Sequence, residues 1–215
     1  MIFNHIKRAL FISAHPDDTE FGAAGLVRVL VENGVEVHLA VLSNPVESLP
    51  QGTSKDKLLK EQETSAKILG FRSDIHFYSY PVRKFSYFRQ EILEDLIKLR
   101  ELIKPDLVVT SSENDYHQDH NTLACEAIRA FKQSILLGYT HPWNTRKVVG
   151  NVFFELTEDN LKRKIDAISS FESQSQRNYS KPSVIESLAI EAGIAAGFFY
   201  AERFELVTMS VKNEK

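Results

Sequence analysis

The apolar run Ala9-Leu10-Phe11-Ile12 leads through Ser13 into Ala14-His15-Pro16-Asp17-Asp18, and the reading of that junction decides the fold. A short apolar run bounded by turn residues reads as a buried strand. The proline holds His15 to an extended backbone and ends regular pairing there. One imidazole and two carboxylates therefore stand where a buried strand breaks into a turn. There the side chains of His15 and Asp18 can converge on one cation, leaving Asp17 beside it as an unligated base.

Outward from that junction, strands and helices alternate. Gly22-Ala23-Ala24-Gly25 opens a helical pattern through Leu26, Val27 and Leu30 that ends at Asn33-Gly34, and Val35 to Leu42 is the next strand. Pro50-Gln51-Gly52-Thr53-Ser54 reads as a polar loop, residues 55 to 69 as a helix closed by Gly70, and Ile75 to Tyr80 as a short strand. Residues 90 to 104 form a helix with an apolar stripe of Ile92, Leu93, Leu96, Ile97, Leu99, Leu102 and Ile103, stopped by Pro105. Leu107 to Thr110 is again a strand, followed by the polar cluster Ser111 to His120 and a helix from about Thr122 to Lys132. Val148 to Leu156 and Phe204 to Met209 read as later strands, with a helix from Glu158 to Phe171 between them. This order implies βαβ units and a mostly parallel sheet in one α/β domain over residues 1–215.

In an open parallel sheet, loops that follow strands emerge on one carboxyl edge. His15, Asp17 and Asp18 follow one strand, and His117, Asp119 and His120 follow another. His117 and His120, three apart, lie on one side of a turn. His15, Asp18 and one of these two histidines make two imidazoles and a carboxylate with a position left open. That is the composition of a catalytic zinc site, where the metal acidifies water and polarises a carbonyl, and it also suits Fe2+. Taken singly, Asp17 and Asp18 would serve as helix-capping residues and the histidines as structural or solvated groups. Four or five such groups on one edge favour the metal site. His5, His38, His76 and His141 read as structural, Lys162-Arg163-Lys164 as a solvated helix face, and Phe198, Phe199 and Tyr200 as core.

Composition removes other classes. Apolar residues make up 43% and charged residues 26% of the chain, and the net charge is −3. That balance suits a globular protein and offers no basic footprint for nucleic acid. No stretch reaches the roughly 18 apolar residues of a membrane span, the N-terminus lacks signal-peptide order, and Cys125 is the only cysteine, so a cytoplasmic location is expected. GxGxxG, GxSxG and Walker-type loops are absent, which argues against dinucleotide, serine-hydrolase and P-loop chemistry.

The two motifs, Ala14-His15-Pro16-Asp17-Asp18 with Glu20 and Gly22, and Asn114-Asp115-Tyr116-His117-Gln118-Asp119-His120, resemble the LmbE-like (PIG-L type) zinc-dependent N-deacetylases. Weaker similarity extends through Glu63, Ala66, Leu69 and Gly70, then Lys164, Ala167, Ser173 and Gln174, to Ala201-Glu202-Arg203-Phe204. The resemblance implies a Rossmann-like three-layer sandwich that removes acetyl from an N-acetylglucosamine-type sugar or its conjugate. By motif position His15, Asp18 and His120 would be the metal ligands and Asp17 the general base and acid. His117 would support the oxyanion, and Asp119 would orient His117. Asp115 is the nearest match to a sugar contact, and Lys60 takes the place of a frequent arginine near the substrate. Thr19 and Phe171 depart from the family pattern without touching the metal set. Arg83, Lys84, Trp143 and Arg146 are candidate loop contacts. The expected partner is a small N-acetylated amino sugar, a homo-oligomer stays open, and two alternatives remain. One is an amidase for a larger sugar- or thiol-conjugate amide, the other a metal-stabilised sugar- or nucleotide-binding module without turnover.

Overall fold

Residues 5–44, 54, 56–71, 73 and 75–210 are described by the computed structural model. The polar loop expected at Pro50 to Ser54 lies outside them except for Ser54. Seven strands form one sheet: β1 (Arg8–Ser13), β2 (Glu36–Val41), β3 (Ile75–Phe77), β4 (Leu107–Ser111), β5 (Ile135–Tyr139), β6 (Val152–Glu155) and β7 (Ala201–Thr208). Their order is β3-β2-β1-β4-β5-β7-β6. The first five pair in parallel, and β7 pairs antiparallel with both β5 and β6. The helices are α1 (Asp18–Glu32), α2 (Lys57–Leu69), α3 (Arg89–Ile103), α4 (Gln118–Ala130), α5 (Glu158–Ser169) and α6 (Pro182–Ala196).

The alternation of β1 explains the layers. Ala9 and Phe11 pack into a core with Ala23, Ala24, Leu26, Val27 and Leu30 of α1, while Leu10 and Ile12 pack on the opposite face with α3 and α4. Strands buried on both faces read as continuous apolar runs. The strand order reverses direction between β1 and β4, which is the switch point where open α/β sheets place ligands. Both predicted clusters follow these two strands.

Close approach to α1 depends on two glycines. A Cβ on Gly22 would lie 2.4 Å from the Tyr139 ring, and one on Gly25 would lie 2.8 Å from the Glu202 carboxyl carbon. The helix itself starts at Asp18, four residues before the Gly-Ala-Ala-Gly stretch. Similarly, α4 starts at Gln118 rather than near Thr122, because His117 caps it.

Further sequence expectations change. Strand β5 and helix α6 have no counterpart in the sequence reading. Leu102 is 70% exposed, so the α3 stripe ends in Ile103 without it. Phe198 and Phe199 are exposed and not core, while Tyr200 is partly buried against the cluster of Phe21, Leu161, Ile168, Ile185 and Ala189. Lys164 is buried, not solvated. Its ammonium donates to Glu202 Oε1 (2.6 Å) and to the Phe21 carbonyl (2.8 Å), and the Glu202 carboxylate also accepts the backbone N–H groups of Gly25 (2.8 Å) and Leu26 (2.6 Å). This ion pair ties α1, α5 and β7 together. Among the described residues no helix is long and apolar enough to cross a membrane.

Removing one partner of a buried pair strands the other charge, at a cost of about 3–5 kcal/mol. Lys164→Met is therefore expected to lower unfolding stability by about that amount in urea denaturation, and an unchanged midpoint would refute the role given to the pair.

Candidate active site

The turn after β1 brings the first cluster into position. Asp17 adopts a left-handed conformation (φ 84°), uncommon for a residue with a side chain, and its backbone N–H donates to Gln62 Oε1 (3.3 Å). Gln62 Nε2 in turn donates to Glu20 Oε1 (2.6 Å), which also accepts from Ser65 Oγ (2.5 Å). The Asp18 carboxylate folds back to accept the His15 backbone N–H (2.8 Å). The second cluster follows β4. His117 caps α4, its Nδ1 accepting the Asp119 backbone N–H (3.2 Å).

Three donor atoms meet at the switch point. His15 Nδ1 lies 3.2 Å from His120 Nε2 and 3.4 Å from Asp18 Oδ2, and His120 Nε2 lies 3.2 Å from Asp18 Oδ2. With bonds of about 2.0–2.1 Å, the edge of a zinc tetrahedron is about 3.4 Å. The triangle therefore fits a small tetrahedral cation with one vertex open. Ring nitrogens of His117 and His141 flank it: His117 lies within 4.8 Å of the His15 and His120 donors, and His141 within 4.8 Å of the Asp18 and His120 donors.

Each histidine of the triangle is held from behind by a carboxylate. Asp119 Oδ2 lies 3.0 Å from His15 Nε2, and Asp115 Oδ2 lies 2.8 Å from His120 Nδ1. Those bonds place the ring protons outward and turn the lone pairs of His15 Nδ1 and His120 Nε2 into the triangle, the arrangement that fixes metal-binding imidazoles. Asp119 is itself held by the N–H groups of Arg83 (2.6 Å) and Phe85 (3.2 Å). Its carboxylate thus hydrogen-bonds His15, while His117 takes its backbone N–H and feels the carboxylate only through its charge. Asp115, matched to a sugar contact in sequence, is buried and occupied by His120 and by the backbone N–H of His117 (2.8 Å).

The electrostatics call for positive charge inside the triangle. Burial works against a charged His15, yet Asp119 and Asp18 outweigh it and raise its pKa to about 9. Burial likewise opposes a charged His120, and Asp18 with Asp115 raises it to about 10. Asp18 is buried too, but His120 and His15 hold it well below the ordinary carboxylate range. A divalent cation between these groups supplies the same charge without the protons. His117 differs: burial and the neighbouring His120 and His15 lower it to about 4, so its ring is neutral. With Nδ1 accepting from Asp119, its proton is on Nε2, available to the pocket. Burial and the carboxylates of Asp18 and Glu20 push Asp17 well above its usual range.

The donors open into a pocket of about 460 Å³ lined by Asp17, Arg83, His117, Trp143, Arg177 and Tyr179 among others. Lys60, on exposed helix surface, is not among the lining residues, whereas Leu58 of the same helix is. Neither Lys84 nor Arg146 lines it. Arg83 and Trp143 do.

Residues 10–131, more than half of the chain, match the family model described as PIG-L, GlcNAc-PI de-N-acetylase. The chain belongs to the PIG-L family. The diacetylchitobiose deacetylase of Thermococcus kodakarensis is 24% identical over 229 residues, covering 95% of this chain and 85% of its own. The N,N′-diacetylchitobiose deacetylase of Pyrococcus horikoshii, solved with an inhibitor, superposes with a TM-score of 0.80 at 25% identity, covering 94% of this chain and 84% of its own. GalB, the 4-carboxy-2-hydroxymuconate hydratase of Pseudomonas putida, superposes with a TM-score of 0.78 at 20% identity, covering 97% of this chain and 99% of its own. The PIG-L fold therefore does not by itself fix the reaction, and the site must carry that argument.

His141 is a site residue absent from the sequence-derived set. It is buried after β5, with Nε2 3.2 Å from the Asp18 carbonyl and Nδ1 without a hydrogen-bond partner among the described residues. The apolar run Ser134-Ile135-Leu136-Leu137-Gly138-Tyr139 just before it is the signal, since it marks a further strand ending on the same edge. Gln62 carries no motif of its own.

Losing a carboxylate behind a metal-binding histidine commonly weakens metal binding 10–100-fold. Asp119→Asn and Asp115→Asn are each expected to weaken zinc binding by roughly that factor in competition with a chromophoric chelator. Wild-type affinity in both would show that these bonds do not orient metal-binding rings.

Proposed function

We propose that the protein is a zinc-dependent N-deacetylase acting on an N-acetylglucosamine-type amino sugar or its conjugate. The observation that carries this reading is the donor triangle of His15, Asp18 and His120 with the Asp17 side chain lining the same pocket. The two diacetylchitobiose deacetylases support the substrate class, and the family description supports the bond cleaved.

Zinc held by the triangle would act as a Lewis acid, acidifying water and polarising the amide carbonyl; Fe2+ suits the same donors. Asp17, left free of the triangle, accepts the proton from the attacking water and returns it to the nitrogen of the departing amine. His117 donates its Nε2–H to the charge that develops on the amide oxygen, a neutral donor set in place before the reaction. Asp119 and Asp115 act on the histidines of the triangle and not on the substrate. Arg83 and Arg177, on the wall of the pocket, serve as contacts for sugar hydroxyls or for a conjugated group. The products are acetate and the free amine, so one water is consumed per amide. A pure binding module would have no use for a carboxylate kept beside the cation.

Asp17→Asn is expected to retain about one zinc per chain while acetate release from N-acetylated sugars falls by about 10²–10⁴. His117→Ala is expected to lose about 10²–10³ in the same assay. Wild-type rates in both variants would refute these roles. Bound zinc with no acetate released from diacetylchitobiose, N-acetylglucosamine or its conjugates would favour the binding module.

A further inference from the structure

A second cavity adjoins the catalytic pocket. It holds about 230 Å³ and is walled by Phe21, Pro142, Trp143, Val148, Leu188 and Ala192, with further small or apolar residues of α6 and β7. Phe21 and Trp143 belong to both cavities. Their rings meet edge to face, centroids 5.3 Å apart at 83°, and stand between the two spaces.

The charged groups bordering this cavity are paired with one exception, the Nε of Arg203, which is buried without a hydrogen-bond partner among the described residues. Lys164 is paired with Glu202 and the Phe21 carbonyl, both Glu202 oxygens are occupied, and Arg203 donates to Glu191 (2.7 Å). What remains is an apolar surface beside a polar reaction site. An enclosed apolar cavity of about 150 Å³ takes benzene, so by volume this half-open cleft of about 230 Å³ has room for about nine carbons.

We propose that this cavity is a substrate subsite for an uncharged apolar chain or ring of up to about nine carbons, reached past Phe21 and Trp143 from the sugar in the catalytic pocket. The inference rests on the deacetylase reading of the neighbouring site. The apolar group can come from the aglycone of the sugar or from a longer acyl group on its nitrogen. The common chemistry is a short hydrocarbon, and the two sources separate experimentally.

Two substrate series test it on the zinc-loaded protein: alkyl glycosides of N-acetylglucosamine from methyl to octyl, and N-acyl glucosamines from acetyl to octanoyl. In one series KM is expected to fall with chain length, by up to about fourfold per methylene. The series that responds identifies the source. Ala192→Leu fills the cavity from the buried side and Leu188→Phe from the half-exposed side. Either is expected to remove the chain-length effect while leaving the methyl glycoside unchanged. Trp143 is the only tryptophan, so its emission reports occupancy without turnover. Octyl glucoside, which carries no amide, is expected to shift that emission in wild type and not in the filled variants. That shift with no acetate released from any substrate would sustain the subsite and overturn the deacetylase reading. Flat series with no shift, or a chain-length effect that survives both filled variants, would overturn the subsite.

Discussion

The parallel pairing of β1 with β4 is the constraint from which the site follows. Ala9, Leu10 and Phe11 align with Leu107, Val108 and Val109, so the two strands end side by side. Residues about a hundred positions apart are thereby brought to one rim, where His15 and His120 face each other across 3.2 Å. The pairing can hold only because both strands are apolar on both faces and covered by helices. The reversal of strand order at this seam leaves a crevice that no crossover helix fills. The polar corner is therefore a consequence of topology, and the side chains in it inherit the rigidity of the strand ends.

The left-handed turn at Asp17 converts that rigidity into chemistry. The donor atoms of His15 and Asp18 meet 3.4 Å apart while Asp17, left-handed at the start of α1, stays out of the triangle and lines the pocket beside it. The turn costs backbone energy, and the buried Gln62, holding the Asp17 N–H, offsets part of it. Gln62 is held by Glu20, whose burial lifts its pKa to about 7. The other side of the site repeats the device. Arg83, also in the left-handed region (φ 64°), donates its N–H to Asp119, and Asp119 steers His15. In each case a strained backbone position is tied to the orientation of a reactive side chain.

The sequence is most legible where one residue type has few uses. His15-Pro16-Asp17-Asp18 and His117 to His120 stand out because imidazoles and carboxylates are rarely placed at strand ends without a task, and the alternation of apolar runs places both on one edge. Strand β5 is harder to see, because five apolar residues with a glycine among them match no single period. With β5 unread, His141 has no strand to follow and reads as a loop histidine. Helix α6 is apolar around much of its surface, so the usual contrast between faces is missing. Lys164 sits in a run of three basic residues that looks solvated. Its partner, Glu202, lies 38 positions away on a strand, and only the packed fold reveals the pair. Roles carried by second contacts share this limit: that Asp119 steers His15 rather than His117 depends on which ring its carboxylate reaches.

The wall between the two cavities shows how such a site can keep its chemistry while changing its substrate. His141, Trp143 and Tyr179 form a stack, with ring centroids 5.0 Å and 3.9 Å apart and planes within 9° of parallel. Its inner end touches the Asp18 carbonyl, and its outer end joins Arg177, which donates to the Tyr179 hydroxyl. Trp143 is thus stacked on by two rings of the protein and met edge-on by a third, Phe21. The stack runs from the loop after β5 to the turn Asn178–Ser180, segments outside the β1–β4 seam. His141, against the Asp18 carbonyl, is tied to the donor triangle, whereas Trp143 and Tyr179 contribute no atom to it, its donors coming from the ends of β1 and β4. The division of labour is physical: strand ends fix the reacting atoms, and aromatic packing on irregular segments shapes the space that selects what reaches them.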